Sequence, residues 1–172
     1  MADTDQPASI PQLETEQHLR ASAALDTMPA LEIARLINAE DKKIAPAVEK
    51  ALPQIAQAID AIAQALANGG RLIYVGAGTS GRLAALDASE IPPTFGIRPR
   101  SVQYVIAGGP KALGRAAEYS EDSRAYGRRD MARRKPGKKD VIVGLAASGR
   151  TPYTVAALEY ARAKGAKSLG SP

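Results

Sequence analysis

The sequence of 172 residues has no cysteine, no tryptophan, one histidine (His18) and one phenylalanine (Phe95). Without cysteine there is no disulfide, no thiolate nucleophile and no cysteine-based zinc or iron–sulfur site, and a single histidine excludes a histidine-rich metal cluster. Thiols therefore say nothing about redox compartment. Aromatic residues are only 4% of the chain, so the core must be built from Ala, Leu, Ile and Val, which suits close-packed helices on a small-residue sheet. The residues through Pro11 lack the basic start and apolar block of a signal peptide, and no stretch approaches the ~20 apolar residues of a membrane span. A soluble cytoplasmic protein without membrane association is expected.

What is present is ordinary in amount: 45% hydrophobic and 24% charged residues, enough for one domain with a short extension. The net charge of +5 is concentrated, since Arg124 to Lys139 carries +7 and the remainder sums to −2. Such a run reads as a solvated helix face and loop. With no aromatic interleaved except Tyr126, it does not favour nucleic acid as a partner.

Met1 to about Leu13 is polar, proline-dotted and without periodicity. Thr27-Met28-Pro29 predicts a helix start, with Leu31, Ile33, Ala34, Leu36 and Ile37 as its apolar face. A second helix is expected from Pro46, through Leu52, Ile55, Ile59, Ile62 and Leu66, to the stop signal Asn68-Gly69-Gly70. The pattern then changes. Leu72–Val75, Val102–Ile106 and Val141–Leu145 are short apolar runs, each followed by glycine or small residues and then by a helix-like segment. These segments are Arg82 to Ser89, ending near Pro92-Pro93; Pro110 to about Glu118; and Pro152 to Lys164. Ala166–Leu169 opens a fourth strand. The alternation predicts an α/β fold with a parallel sheet flanked by helices and a helical extension before it. A sheet this small, with an unfinished edge, is expected either to be covered by a partner or to belong to a fragment.

Two loops carry chemistry. Gly76-Ala77-Gly78-Thr79-Ser80-Gly81 is G-x-G-x-x-G between a strand and a helix, the context in which free backbone N–H groups seat phosphate oxygens. A nicotinamide cofactor is disfavoured because Ala107-Gly108-Gly109 follows the second strand, where a ribose-binding carboxylate would be needed. Thr79 and Ser80 here, and Ser148 and Thr151 after the third strand, place hydroxyls at the carboxyl ends of two strands, which suits one sugar phosphate. Each hydroxyl could instead be a helix cap. Acid–base work falls to carboxylates. Glu90 is expected at a helix end, where the dipole and partial burial would favour its protonated form; Glu121 and Asp122, with Glu118 nearby, are expected after the second crossover helix. Solvation is the plainer reading of each.

Three blocks, Gly76–Leu83, Leu86-Asp87-Ala88-Ser89-Glu90-Ile91-Pro92-Pro93-Thr94-Phe95-Gly96 and Gly144–Tyr153, together with Ile37–Lys42, Ile106–Gly109 and Ser120–Ser123, resemble the N-acetylmuramic acid 6-phosphate etherase family of the sugar isomerase (SIS) fold. The resemblance runs from roughly Glu14 to Gly165, and the Asp-Ala-Ser-Glu-x-Pro-Pro-Thr block is its most specific part. It implies an N-terminal tail and helical extension over 1–45 and a SIS-type sugar-phosphate domain over 46–172, incomplete at its C-terminus because family members are longer. One departure is His18-Leu19, where the family usually has Arg-Asn.

The resemblance further implies cleavage of the D-lactyl ether of N-acetylmuramic acid 6-phosphate to N-acetylglucosamine 6-phosphate and D-lactate, without metal or organic cofactor, in a homodimer. Glu90 would serve the departing lactate oxygen and the incoming water, and Glu121 would be the second catalytic glutamate. Thr79, Ser80, Gly81, Ser148, Gly149 and Thr151 would hold the 6-phosphate and sugar hydroxyls. The alternative is a non-catalytic sugar-phosphate-binding regulatory protein; aldose–ketose isomerisation on the same fold is disfavoured by the etherase-specific block.

Overall fold

A computed structural model describes residues 17–170. The chain divides into two units, the first ending at Ala51 and the second beginning at Leu52.

In the first unit, α1 (Ala30–Asp41) starts directly after Pro29, as the Thr27-Met28-Pro29 signal predicts, and α2 (Ile44–Lys50) follows it. Neither helix has a buried residue, and Leu31, Ile37, Ile44 and Val48 are exposed. The expected single helix from Pro46 to Leu66 is two, because the chain breaks at Ala51 before α3 (Leu52–Ala67). Pro53 explains the break: it has no N–H for the Glu49 carbonyl four residues back. The polar segment Met1 to Leu13 lies outside the described residues.

The second unit alternates strands and helices: β1 (Leu72–Gly76), α4 (Gly78–Phe95), β2 (Val102–Ile106), α5 (Arg124–Arg134), β3 (Val141–Leu145), α6 (Pro152–Ala163) and β4 (Lys167–Leu169). The strands form one parallel sheet in the order β2-β1-β3-β4. Alternate strand residues face opposite layers, as a sheet covered on both sides requires. Ile73, Val75, Val105 and Ile142 join Met131 of α5 and Tyr153, Ala157, Leu158 and Ala161 of α6. Leu72, Tyr74, Val102, Tyr104 and Val143 meet Ile62 and Leu66 of α3 and Ala88 and Ile91 of α4 on the other side. Small alanines in the helices let them approach a sheet built with few aromatics.

Two expectations fail here. α4 does not end near Pro92-Pro93; it continues to Phe95 and is stopped by Gly96, whose φ of 64° is left-handed. The prolines cost the Ala88 and Ser89 carbonyls their helical N–H partners without breaking the last turn. The segment from Pro110 to Glu118 is not an α-helix. Gly109–Leu113 and Glu118–Ser120 are short 3-10 turns separated by Gly114, and the crossover from β2 to β3 is made by the basic stretch itself, as α5. Among the described residues no helix is long and apolar enough to cross a membrane.

Candidate functional site

In the parallel sheet β1 and β3 are neighbours, with Gly76 in register with Leu145, so the segments that follow them leave from the same edge. β1 is also where the chain reverses direction, to β2 on one side and later to β3 on the other. The crevice at the carboxyl ends of two strands diverging in this way is where open α/β sheets bind ligands. Both hydroxyl-bearing loops lie there.

The first loop is built by close approach. A Cβ on Gly81 would stand 2.6 Å from Ile106 Cγ1 and 2.9 Å from the Gly76 carbonyl oxygen, and Gly78 has a φ of 53°. The Gly81 N–H, donating to the Ala77 carbonyl at 3.0 Å, is the first in α4 to bond back along the chain. The N–H groups of Gly78, Thr79 and Ser80 are therefore the open positive end of an 18-residue helix. α4 has Ala77 at its N-cap and no side-chain cap bond, and Thr151 at the N-cap of α6 makes none either. Capping is thus not what these hydroxyls do.

The second loop differs. Gly149 has a φ of 70°, and Ser148 Oγ accepts from the Arg150 N–H at 3.3 Å. The N-terminus of α6 is largely occupied: Pro152 has no N–H, and the Tyr153 N–H donates to the Glu121 carbonyl at 2.9 Å. The open N–H groups of α4 suit a phosphate, and the second loop offers hydroxyls beside it.

Glu121 lies before the crossover helix rather than after one, directly behind the turn Glu118–Ser120, and its side chain is exposed. One side chain and one backbone N–H staple its segment at either end. Arg82, next to Gly81 in α4, donates to the carbonyls of Ala112 (3.0 Å) and Arg115 (3.1 Å), and Tyr153 of α6 holds Glu121. The segment is thereby tied to the first turns of both loop-bearing helices. Asp122 is exposed beside Glu121.

Glu90 sits elsewhere. It is exposed in the body of α4, not half-buried at a helix end. Thr79, Leu83, Leu86 and Glu90 recur along one face of the helix, with Leu83 59% and Leu86 58% exposed. At 1.5 Å per residue Glu90 is roughly 16 Å along α4 from Thr79. One turn before it, Asp87 accepts from the Tyr74 hydroxyl at 2.6 Å; burial, and then Asp87, push that phenol above its ordinary pKa. This bond fixes α4 against the sheet. Neither it nor the Arg82 and Tyr153 staples was signalled in the sequence, because each joins residues from separate elements. His18 is exposed.

Residues 54–162 match the family model described as the glucokinase regulatory protein N-terminal SIS domain. Curated relatives named N-acetylmuramic acid 6-phosphate etherase include that of Glaesserella parasuis, 52% identical over 96% of this chain and 55% of the relative, and that of Symbiobacterium thermophilum, 58% identical over 91% and 52%. The chain spans about half the length of the curated relatives it matches. Among solved structures, phosphoheptose isomerase from Neisseria gonorrhoeae superposes with a TM-score of 0.62, covering 81% of this chain and 73% of that one at 21% identity, a likeness of fold.

Proposed function

Since the chain belongs to the family of the glucokinase regulatory protein N-terminal SIS domain, we propose that it is the sugar-phosphate-binding part of an N-acetylmuramic acid 6-phosphate etherase, a carbon–oxygen lyase of peptidoglycan amino sugar recycling in the cytoplasm. The relatives' names give the substrate, N-acetylmuramic acid 6-phosphate. One geometric observation carries the assignment to these residues. Arg82 and Tyr153 staple the Glu121 segment to the first turns of the two helices whose loops bear hydroxyls that cap neither helix.

In this reading the 6-phosphate takes the N–H groups of Gly78, Thr79 and Ser80 and the Thr79 and Ser80 hydroxyls, while Ser148 and Thr151, with Gly81 and Gly149 shaping the loops, meet the sugar. In the open-chain sugar the C2 proton is acidified by the C1 aldehyde. Glu121 removes it, the C3–oxygen bond breaks, and Glu90 gives a proton to the departing lactate oxygen. The unsaturated aldehyde then takes up water at C3: Glu90, now a carboxylate, receives the water proton, and C2 recovers a proton from Glu121. Atoms balance, and two carboxylates in complementary protonation states suffice.

The position of Glu90 favours a site shared between two copies. Sixteen ångströms of helix, roughly, separate it from its own phosphate loop, and it continues the exposed stripe of Leu83 and Leu86. A homodimer covering that stripe would bring Glu90 of one copy to the loops of the other.

The test is D-lactate release from N-acetylmuramic acid 6-phosphate, beside Glu90→Gln. Release that disappears in the variant supports the etherase. A folded chain that binds the sugar phosphate without releasing lactate, alone or extended to the relatives' length, would instead be a sugar-phosphate-binding regulator, the second reading that the family model's description favours.

A further inference from the structure

A groove of about 560 Å³ runs between the outer edge of β2 and α5, and none of Thr79, Ser80, Glu90, Glu121, Ser148 and Thr151 lines it. Its floor is the apolar end of β2 with Pro110, and its wall is the basic helix, presenting Tyr126, Arg129, Arg133 and Arg134. From this geometry we propose that the groove binds a small organic anion carrying two or more negative charges on phosphate or carboxylate groups together with a flat ring.

The volume lies within the range of small-molecule sites. Three guanidiniums and one carboxylate, Asp130, leave the groove at +2. Asp130 is heavily committed: Oδ1 accepts from Arg129 Nε at 3.0 Å and from Arg133 at 3.5 Å, and Oδ2 from the buried Tyr153 hydroxyl at 3.0 Å. The arginines are not. Arg134 gives one N–H to the Tyr104 carbonyl at 2.9 Å, and each of the three keeps further donors of a planar fork that matches phosphate or carboxylate. Arg129 is stacked over Tyr126, 4.5 Å from the ring centroid, and Tyr126 is 46% exposed. A guanidinium on a tyrosine face at the rim of an apolar floor is a surface on which a ring can lie. By contrast Arg124 and Arg128, on the same helix, are drawn away to Glu159 of α6 and do not line the groove. The bond from Arg134 to Tyr104 obstructs the strand edge, so an added peptide strand is not the occupant these contacts favour.

The experiment titrates the folded chain with adenosine 5′-monophosphate, a phosphate on a ring, and separately with citrate, carboxylates without one, following amide shifts and affinity. Binding of the nucleotide more tightly than citrate, with shifts at Gly109, Tyr126 and Arg133, supports the site; citrate binding alone or as tightly overturns the ring. Replacing Arg129 and Arg133 by Gln, both at exposed side chains, should weaken nucleotide binding about tenfold or more, whereas Ser80→Ala with Ser148→Ala should leave it unchanged. If the double variant unfolds, Arg133→Gln alone is read, its side chain being 71% exposed. The proposal is overturned if neither probe binds, if binding follows Ser80 and Ser148 instead, or if a single-stranded oligonucleotide binds there more tightly with a steep salt dependence.

Discussion

The backbone N–H of Tyr153 donates to the carbonyl of Glu121 at 2.9 Å, across 32 residues of chain that include α5 and β3. The same tyrosine presents its own carbonyl to α5, where a Cβ on Gly127 would come within 2.1 Å of it, and its hydroxyl to Asp130. One buried residue thus sets the spacing of α5 and α6, through its carbonyl and its hydroxyl, and through its backbone N–H the position of the segment that carries Glu121.

Gly127→Ala should therefore be felt in both fold and site. The new methyl meets backbone, which cannot rotate away, so α5 must move off α6 at a cost of about 1–3 kcal/mol. A lowered urea midpoint at unchanged slope is expected, with lactate release falling more than the loss of folded protein explains.

Removing the loop hydroxyls should do the opposite. They make no cap bonds, so Ser80→Ala and Thr151→Ala should leave the melting temperature nearly unchanged, whereas loss of a cap costs about 1 kcal/mol. Affinity for N-acetylglucosamine 6-phosphate, read by calorimetry, should drop about tenfold or more for Ser80→Ala, as a hydrogen bond to a charged group is lost. A destabilised variant with intact binding would show these residues to be structural.

A shared site predicts complementation. Glu90→Gln and Glu121→Gln should each be inactive alone, but mixing them under conditions of subunit exchange should restore up to about a quarter of wild-type activity, since half the dimers are mixed and each of these has one intact site. No recovery despite proven exchange would place both carboxylates in one copy's site.

At the amino end of the sheet, Asp140 accepts from the Arg71 backbone N–H and Nε (3.0 and 3.1 Å), from a terminal guanidinium nitrogen of Arg71 (2.7 Å) and from the Gly137 N–H (2.9 Å). Burial opposes its ionisation, yet the Arg71 and Gly137 hydrogen bonds outweigh it and hold the carboxyl below its ordinary value. Its contribution is thus fully present above the unfolded-state pKa of about 3.9 and is lost as pH falls through the lower folded value. Asp140→Asn should cost about 1–3 kcal/mol at pH 7 by removing the counter-charge of Arg71, which keeps its bonds to the Arg134 and Lys135 carbonyls, and the gap from wild type should narrow below about pH 4 in acid unfolding curves.

The strands and both loops were legible because each signal is local: a run such as Leu72–Val75 next to glycines needs no distant partner to be read. The helix ends were less so. Pro92-Pro93 reads as a stop, but α4 passes it because two lost N–H groups in a last turn cost little when Pro92 is buried against the sheet side. Pro110 reads as a helix start, but Gly109 at a φ of 68° and the break at Gly114 leave only 3-10 turns. The depth of Glu90 could not be read at all, since exposure depends on what the other face of α4 packs against.

The bond from Arg134 to the outward carbonyl of Tyr104 has a consequence for solubility. β2 lies at the border of the sheet, where unpaired backbone groups invite a strand from a neighbouring molecule. A bulky cation laid across the middle residue of a five-residue strand interrupts any such template at its centre. The same arginine cluster that lines the groove thereby breaks the template that this margin would offer to a neighbouring strand.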